Sequence, residues 1–183
     1  MDKKGYHQAN RQFILFAAAI RHATSGISLS KKLGIKVTDA QADALRFLAL
    51  NDQATIGQMS VGLGHTISGA TKAVNRLVKL GWVERRYGDE DHRSVYVHLT
   101  PKGKQLTQIL LQETQERMQT ILNKLRPDTL EKLGGVIEQF LEDFIENESA
   151  ATQLCVACGF EGGIDCRAVQ TDCVVAQATK KFG

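Results

Sequence analysis

Four cysteines near the C-terminus are the residues best suited to bind a metal. Cys155, Cys158, Cys166 and Cys173 are spaced C-x2-C-x7-C-x6-C within 19 residues, whereas the preceding 154 residues contain no cysteine. The surrounding segment is rich in Gly and Asp and has few large apolar residues, so isolated burial as small apolar side chains does not explain this grouping. The spacing indicates a shared chemical role.

Three chemistries fit four neighbouring thiols. They can hold a [4Fe-4S] or [2Fe-2S] cluster, coordinate a structural zinc ion, or form reversible disulfides. Zinc sites of this type usually contain two C-x2-C pairs, whereas this segment has one. Glycines at 159, 162 and 163 leave the backbone room to surround a bulky ligand. The sequence therefore favours an iron–sulfur cluster, with zinc and a metal-free thiol switch as alternatives.

A second group of residues is suited to contact nucleic acid. Thr66 is expected to cap a helix over 67–80, in which Ile67, Ala70, Val74 and Leu77 form the buried stripe. The opposite face carries Ser68, Gly69, Thr71, Lys72, Asn75, Arg76 and Lys79. Small polar residues let a helix approach base edges, Asn and Arg can read bases, and cations can reach phosphates. Because a solvated helix face has the same composition, the flanking elements must decide between the two interpretations.

Those flanking elements predict a winged helix-turn-helix. Thr55 is expected to cap a short helix that ends in a turn flanked by Gly62 and Gly64, and Gly81 ends the next helix. Alternating apolar and polar residues over 82–86 and 94–99 then predict two strands with a charged loop between them. The arginines of this hairpin suit the negative potential of a narrow minor groove, and they are Arg85, Arg86 and Arg93.

Long amphipathic helices surround this unit. Helices are predicted over 10–32, ended by Gly34, over 101–125, and over 129–147, with Pro127 as the break. A further helix begins after Thr38, with Gln41 completing a capping box, and a helical segment over 167–178 is expected to dock Cys173 on the dimerisation helices. We expect a mainly α fold with a small β-wing, dimeric through its N- and C-terminal helices. The predicted units are 1–37, 38–100, 101–147 and 148–183.

Charge and composition are consistent with this organisation. The net charge is +3, but residues 1–100 hold 14 Lys and Arg against 8 Asp and Glu, while residues 101–183 hold 9 against 12. The basic half coincides with the predicted helix-turn-helix, as phosphate binding requires. No signal-peptide pattern is present, and the apolar run over 13–20 is too short to span a bilayer. We therefore expect a cytoplasmic protein that does not bind membranes.

Several stretches resemble MarR-type transcriptional regulators over roughly residues 8–147. They are T-D-A-Q-A-D-A-L-R-F-L, N-R-L-V-K-L-G-W-V-E-R and D-E-D-H-R-S-V-Y-V-H-L-T-P-K-G-K-Q-L. The resemblance implies a homodimer that places two winged helices on a pseudo-palindromic operator in double-stranded DNA. It implies that the wing motif Asp-x-Arg falls on Asp91 and Arg93, with Arg93 in the minor groove. The DNA-reading positions would be Thr66, Ser68, Gly69, Thr71, Lys72, Asn75 and Arg76, although Gly69 departs from relatives that carry a longer side chain there.

The sequence as a whole predicts a DNA-binding transcriptional regulator, expected to be a repressor, whose operator affinity is modulated by the cysteine-ligated cluster. The cysteine segment is expected to act through the last dimerisation helix, by changing the distance between the two recognition helices. No nucleophile–base pair, phosphate-binding glycine loop or carboxylate pair indicates an enzyme. A protein-interaction module that no longer binds DNA and an electron carrier remain alternatives. No sequence feature identifies an organic effector.

Overall fold

The computed structural model describes residues 3–25, 34, 36–88, 94–158 and 173–179. These residues form eight helices and a three-stranded antiparallel sheet. The helices are α1 (Lys3–Thr24), α2 (Asp39–Asn51), α3 (Ile56–Gly62), α4 (Ile67–Lys79), α5 (Pro101–Leu122), α6 (Pro127–Phe144), α7 (Glu148–Cys158) and α8 (Val174–Thr179). The strands are β1 (Gln53–Ala54), β2 (Val83–Tyr87) and β3 (Val95–Leu99), in the order β1-β3-β2.

Threonine caps set the beginnings of the central helices. Thr38 and Thr55 each form a complete capping box, with Gln41 and Gln58 as the partners three residues later. Thr66 and Thr100 accept hydrogen bonds from Gly69 N and Gly103 N, at 3.1 and 3.0 Å. Each cap satisfies a backbone donor that the first helical turn leaves without a partner. The short sequence signals around these threonines therefore fix where α2, α3, α4 and α5 begin.

The main apolar core lies within the winged helix. It is built from α2, α3, α4 and the sheet, and it also takes Leu106 and Leu110 from α5 and Val156 from α7. Gly62 allows α3 to approach α2, because a Cβ at this position would lie 2.2 Å from Phe47 Cε2. Gly64, by contrast, adopts a φ of +61° in the turn itself. Of the two glycines predicted to permit the turn, one has the left-handed conformation and the other permits close packing.

The long helices expose much of their apolar surface. Ala23 is the one buried residue of α1, and α6 has none. The rings of Phe13 and Phe140 stack with centroids 6.1 Å apart, and Phe144 extends this stack at 6.0 Å. All three rings nevertheless remain 51–53% exposed. The chain thus presents an aromatic face along α1 and α6.

A buried arginine joins three helices, α1, α2 and α5. Arg46 of α2 is 4% exposed, and its Nη2 donates to Thr24 O of α1 at 3.1 Å and to Thr114 Oγ1 of α5 at 3.4 Å. Its Nη1 pairs with Asp43 Oδ1 at 3.1 Å. Burial raises the pKa of the Asp43 carboxyl, and the charge and hydrogen bond of Arg46 oppose that rise only in part.

The structure corrects several predicted boundaries. Helix α1 runs from Lys3 to Thr24 rather than over 10–32, and it ends where the hydroxyls of Thr24 and Ser25 bond to carbonyls of the last turn. Pro127 is the first residue of α6 and not part of the break between two helices, because proline suits the first helical position. Ile67 was predicted to be buried, but it lies at the first position of α4 and is 65% exposed.

Two elements were not predicted at all. Strand β1 consists of only two residues, Gln53 and Ala54, and it pairs with His98 and Val97 of β3. Helix α7 follows α6 after a short connection and carries Cys155 and Cys158. Among the residues that the structure describes, no helix is long and apolar enough to cross a membrane.

Candidate nucleic-acid interface and cysteine cluster

Helix α4 presents a polar face opposite its buried stripe. Ala70, Ala73, Val74 and Leu77 are buried, and Thr66, Ser68, Lys72, Asn75 and Arg76 are exposed. Gly69 and Thr71 are partly exposed, and Thr71 Oγ1 donates to Ile67 O at 2.7 Å. The predicted DNA-reading residues therefore share one accessible side of the helix.

Cations dominate the second half of that side. Lys72, Asn75, Arg76, Lys79 and Leu80 line a shallow depression of about 400 Å³, and α4 contains no acidic residue. The helix ends with Gly81 at a φ of +71°, where Gly81 N and Trp82 N donate back to Val78 O and Leu77 O. This ending directs the chain immediately into β2.

Strand β2 holds two arginines on opposite faces. Arg85 lies two residues after the buried Val83 and therefore on the same face of the strand. Its Nη2 donates to Asn75 Oδ1 of α4 at 2.7 Å. Arg86 lies on the other face, where it pairs with Glu84. The sequence analysis named both arginines as suited to the minor groove and did not predict that Arg85 would bond to α4. Side chains of a strand repeat every two residues, so counting from Val83 places Arg85 on the side of the sheet that faces α4.

The tip of the wing lies outside the described residues. Strands β2 and β3 are paired from Val83–Leu99 to Tyr87–Val95, and the description resumes at Ser94. Asp91 and Arg93 both fall between these ends. Their assignment as the wing motif stays a prediction.

Two of the cysteines contact one small apolar cluster. Its buried residues are Ile145, Ala151 and Val175, and Cys155 and Cys173 both pack against it. Cys158 lies one turn beyond Cys155 on α7 and is exposed, and residues three apart on a helix lie on neighbouring parts of its surface. Helix α8, which follows Cys173, packs on α6 and α7. Of the helical segment predicted over 167–178, residues 167–172 lie outside the described residues, and the helix that the structure describes begins at Val174.

Cys166 lies outside the described residues. Within the described part of the chain, no group of three or more His, Cys, Asp and Glu residues is arranged to hold a metal ion. The structure therefore brings Cys155 and Cys173 to one place, with Cys158 one helical turn away, and the four-cysteine ligand set stays a prediction.

The opposite surface of α7 contacts the helix-turn-helix. Val156 is 3% exposed and belongs to the winged-helix core, and the Gln153 side chain lies against Gly64 in the turn before α4. Helix α7 packs on α2 and α3. Beside this contact is an open groove of about 580 Å³, lined by Phe47, Asn51, Gln53, Ala54, Gly57, Gln58, Val61, Gly62, Glu148, Ser149 and Thr152. The cysteine-bearing helix is thus attached to the winged helix itself.

Comparison with known sequences finds relatives of one part of the chain. Residues 35–94 match the sequence model of the MarR family. The transcriptional repressor MprA of Escherichia coli K12 is 32% identical over 98 residues, covering 44% of this chain and 56% of that protein, less than two thirds of its length. An uncharacterised HTH-type transcriptional regulator of Bacillus subtilis, YfiV, is 25% identical over 116 residues, which cover 63% of this chain and 72% of the relative.

Solved structures share the fold over a longer stretch. A MarR family protein from Bacillus stearothermophilus superposes with a TM-score of 0.67 at 16% identity, over 80% of this chain and 99% of that one. Streptococcus pneumoniae FabT in complex with DNA gives a TM-score of 0.64 at 20% identity, over 76% and 99% of the two chains. A mutant of Escherichia coli MarR complexed with operator DNA gives 0.59 at 23% identity, over 77% and 99%. The chain therefore has the winged helix fold of these proteins.

Proposed function

We propose that this chain, whose residues 35–94 match the sequence model of the MarR family, is a dimeric, sequence-specific DNA-binding transcriptional regulator that acts as a repressor. The observation that carries the proposal is the exposed face of α4, where Lys72, Asn75 and Arg76 lie together opposite the buried stripe. Two of the proteins that share this fold were solved with DNA bound.

The charge of α4 suits the phosphate backbone. Its three cations, Lys72, Arg76 and Lys79, occur at intervals of about one helical turn, and no acidic side chain on the helix opposes them. Neutralising phosphates releases condensed counterions, so affinity should fall steeply as salt rises. Asn75 and Ser68 on the same face have the hydrogen-bonding groups needed to read base edges.

The aromatic face of α1 and α6 supports a homodimer. Phe13, Phe140 and Phe144 are each about half exposed in the single chain, and a second copy would remove this surface from water. Two winged helices related by a two-fold axis can occupy half-sites about one helical turn, roughly 34–36 Å, apart. A pseudo-palindromic operator is therefore the expected target.

Operator selection from random duplex DNA tests the proposal. We expect the protein to enrich one palindromic sequence and to bind it with a steep salt dependence. Arg76→Ala should weaken binding about tenfold or more and make the salt slope shallower by about one unit. Lys132→Ala, which removes an exposed cation from α6, is the matched control. Enrichment of no sequence, or equal losses in the two variants, would contradict DNA binding through α4.

We further propose that the cysteines form a regulatory centre, with an iron–sulfur cluster as the favoured occupant and zinc or a thiol switch as alternatives. Cys155 and Cys173 pack against the same small apolar cluster of Ile145, Ala151 and Val175, which supports a ligand common to the two thiols. Cys158 and Cys166 would complete the set of four. A bound cluster would supply sensitivity to iron, oxygen or redox state.

The position of α7 suggests how these residues influence DNA binding. Cys155 lies on a helix whose Val156 enters the winged-helix core and whose Gln153 contacts the turn before α4. If α7 unfolded or moved, its contacts with the winged-helix core and with the turn before α4 would be lost. The position of α4, the proposed recognition helix, would then change directly. The sequence predicted a different route, in which the cysteine segment changes the distance between the two recognition helices of a dimer.

Two measurements test the centre. A visible absorption spectrum with iron, sulfide and zinc analysis of anaerobically purified protein identifies the occupant: iron with labile sulfide supports the cluster, and zinc alone supports the structural site. Operator affinity is then compared between this protein and a variant with all four cysteines changed to serine, with Trp82 fluorescence to confirm folding. Equal operator affinity under reducing and oxidising conditions would contradict a regulatory role.

A further inference from the structure

The hydrogen bond between the wing and the recognition helix fixes the orientation of an amide. Arg85 Nη2 lies 2.7 Å from Asn75 Oδ1. A guanidinium carries only donors, so the atom of Asn75 that faces it must be the oxygen. The amide nitrogen of Asn75 is therefore on the other side of the amide group, where its two N–H groups are directed away from Arg85.

We propose that Arg85 determines the base preference of Asn75, so that the pair reads the acceptor edge of guanine instead of the mixed edge of adenine. This inference rests on the proposed function, because it assumes that α4 enters the major groove. An unconstrained Asn favours adenine by accepting from N6 and donating to N7 at the same time. That contact needs the amide oxygen and nitrogen to face the base together.

The bond to Arg85 removes this geometry. It turns the Asn75 oxygen toward β2 and occupies one of its two lone pairs. With the oxygen turned toward β2, the groups of Asn75 left to face a base are its two amide N–H groups, which are donors. In the major groove, guanine presents two acceptors, N7 and O6, side by side. A surface made only of donors is complementary to this edge.

Both side chains are available for such a contact and stand on ordered elements. Asn75 and Arg85 are exposed. Asn75 follows the fully buried Val74 in α4, and Arg85 lies opposite Val97, a buried residue of β3. The neighbouring Arg86 pairs with Glu84 on the other face of the strand. Its position makes it a matched control, because its replacement removes the same charge without touching Asn75.

Operator selection with five variants tests the inference, three of them single substitutions described first. For the unmodified protein we expect guanine at one position of each half-site, preferred about tenfold over adenine. Arg85→Ala should release the amide and shift the preference at that position toward adenine. Arg86→Ala should lower affinity for all sequences equally and leave the preference unchanged. Asn75→Asp keeps an acceptor for Arg85 but removes the N–H donors, so the preference for guanine should disappear.

The double variant Asn75→Ala with Arg85→Ala separates the two residues. If Arg85 acts by holding Asn75, adding Arg85→Ala to Asn75→Ala should change the base preference no further. The inference is overturned if Arg85→Ala selects the same base as the unmodified protein, or if Asn75→Ala alters no position of the site. Both outcomes require that a site is selected at all, so they are distinct from the failure of DNA binding itself.

Discussion

Gln153 of α7 lies directly against Gly64 in the turn that precedes α4. A Cβ at Gly64 would lie 3.2 Å from Gln153 Oε1 and 3.3 Å from Gln153 Nε2. Gly64 also adopts a φ of +61°, so the turn depends on glycine for its backbone and for the space that Gln153 occupies. This contact, together with Val156 in the core, makes α7 part of the winged-helix unit.

Val156→Ala should lower the free energy of unfolding by about 2 kcal/mol, because it removes two buried methyl groups and leaves a cavity in the winged-helix core. Val61→Ala is the matched control, since Val61 is 62% exposed and its truncation should cost less than about 0.5 kcal/mol. Urea unfolding can be followed by the fluorescence of Trp82, the single tryptophan, which is buried in the same core. Equal losses in the two variants would mean that α7 is not packed against the winged helix.

Gly103→Ala should lower stability, whereas Gly135→Ala should not. A Cβ at Gly103 would lie 1.8 Å from Trp82 O, a backbone atom that cannot move aside, so α5 would separate from the wing. No described atom lies within 4 Å of the Cβ position at Gly135, and alanine is favoured over glycine in a helix by about 1 kcal/mol. Thermal unfolding should give a lower Tm for the first variant and an equal or higher Tm for the second. Equal shifts of the same sign would contradict this packing.

The local features of the winged helix could be predicted from sequence because short-range chemistry determines them. The Thr38 and Thr55 capping boxes, the turn at Gly64 and the end of α4 at Gly81 each depend on residues only a few positions apart. The exposed face of α4 followed from the helical period alone. In the structure, the Thr38 box, the left-handed conformation of Gly64, the end of α4 at Gly81 and this exposed face match the predictions. Gly62 does not have the left-handed conformation that the turn was expected to need there.

Features that depend on long-range packing could not be predicted in the same way. Helix α7 has weak helical periodicity, and only its contact with α2 and α3 explains why Val156 is buried. The role of Arg85 depends on a hydrogen bond to a residue ten positions earlier. Strand β1 is visible only through its pairing with β3. In each case the deciding partner is remote in the sequence.

Phe140→Glu should convert the proposed dimer to monomers, because it places a charge in the centre of the stacked Phe13, Phe140 and Phe144 rings. Gln139→Glu introduces the same side chain one position earlier, at an exposed polar site, and should leave the assembly unchanged. Sedimentation velocity over a range of concentrations measures both. If Phe140→Glu sediments like the unmodified protein, the aromatic face is not the interface. Operator affinity of the monomeric variant should fall as well, since one half-site is lost.

Asp43→Asn should change the pH dependence of stability. Burial raises the pKa of the Asp43 carboxyl, against the opposing effects of Arg46 and His65, and Asp39 raises it further. At pH values just above the ordinary pKa of an aspartate, the folded state therefore binds more protons than the unfolded state. The free energy of unfolding falls as pH rises through the pKa of Asp43 in the folded state. The Asn variant lacks this fall, so its free energy of unfolding should improve relative to that of the unmodified protein as pH rises above the ordinary pKa of an aspartate, about 3.9. Urea unfolding at several pH values measures the difference, and Asp128→Asn, at the exposed start of α6, controls for the loss of one carboxylate. Parallel profiles for the unmodified protein and Asp43→Asn would contradict a raised pKa at Asp43.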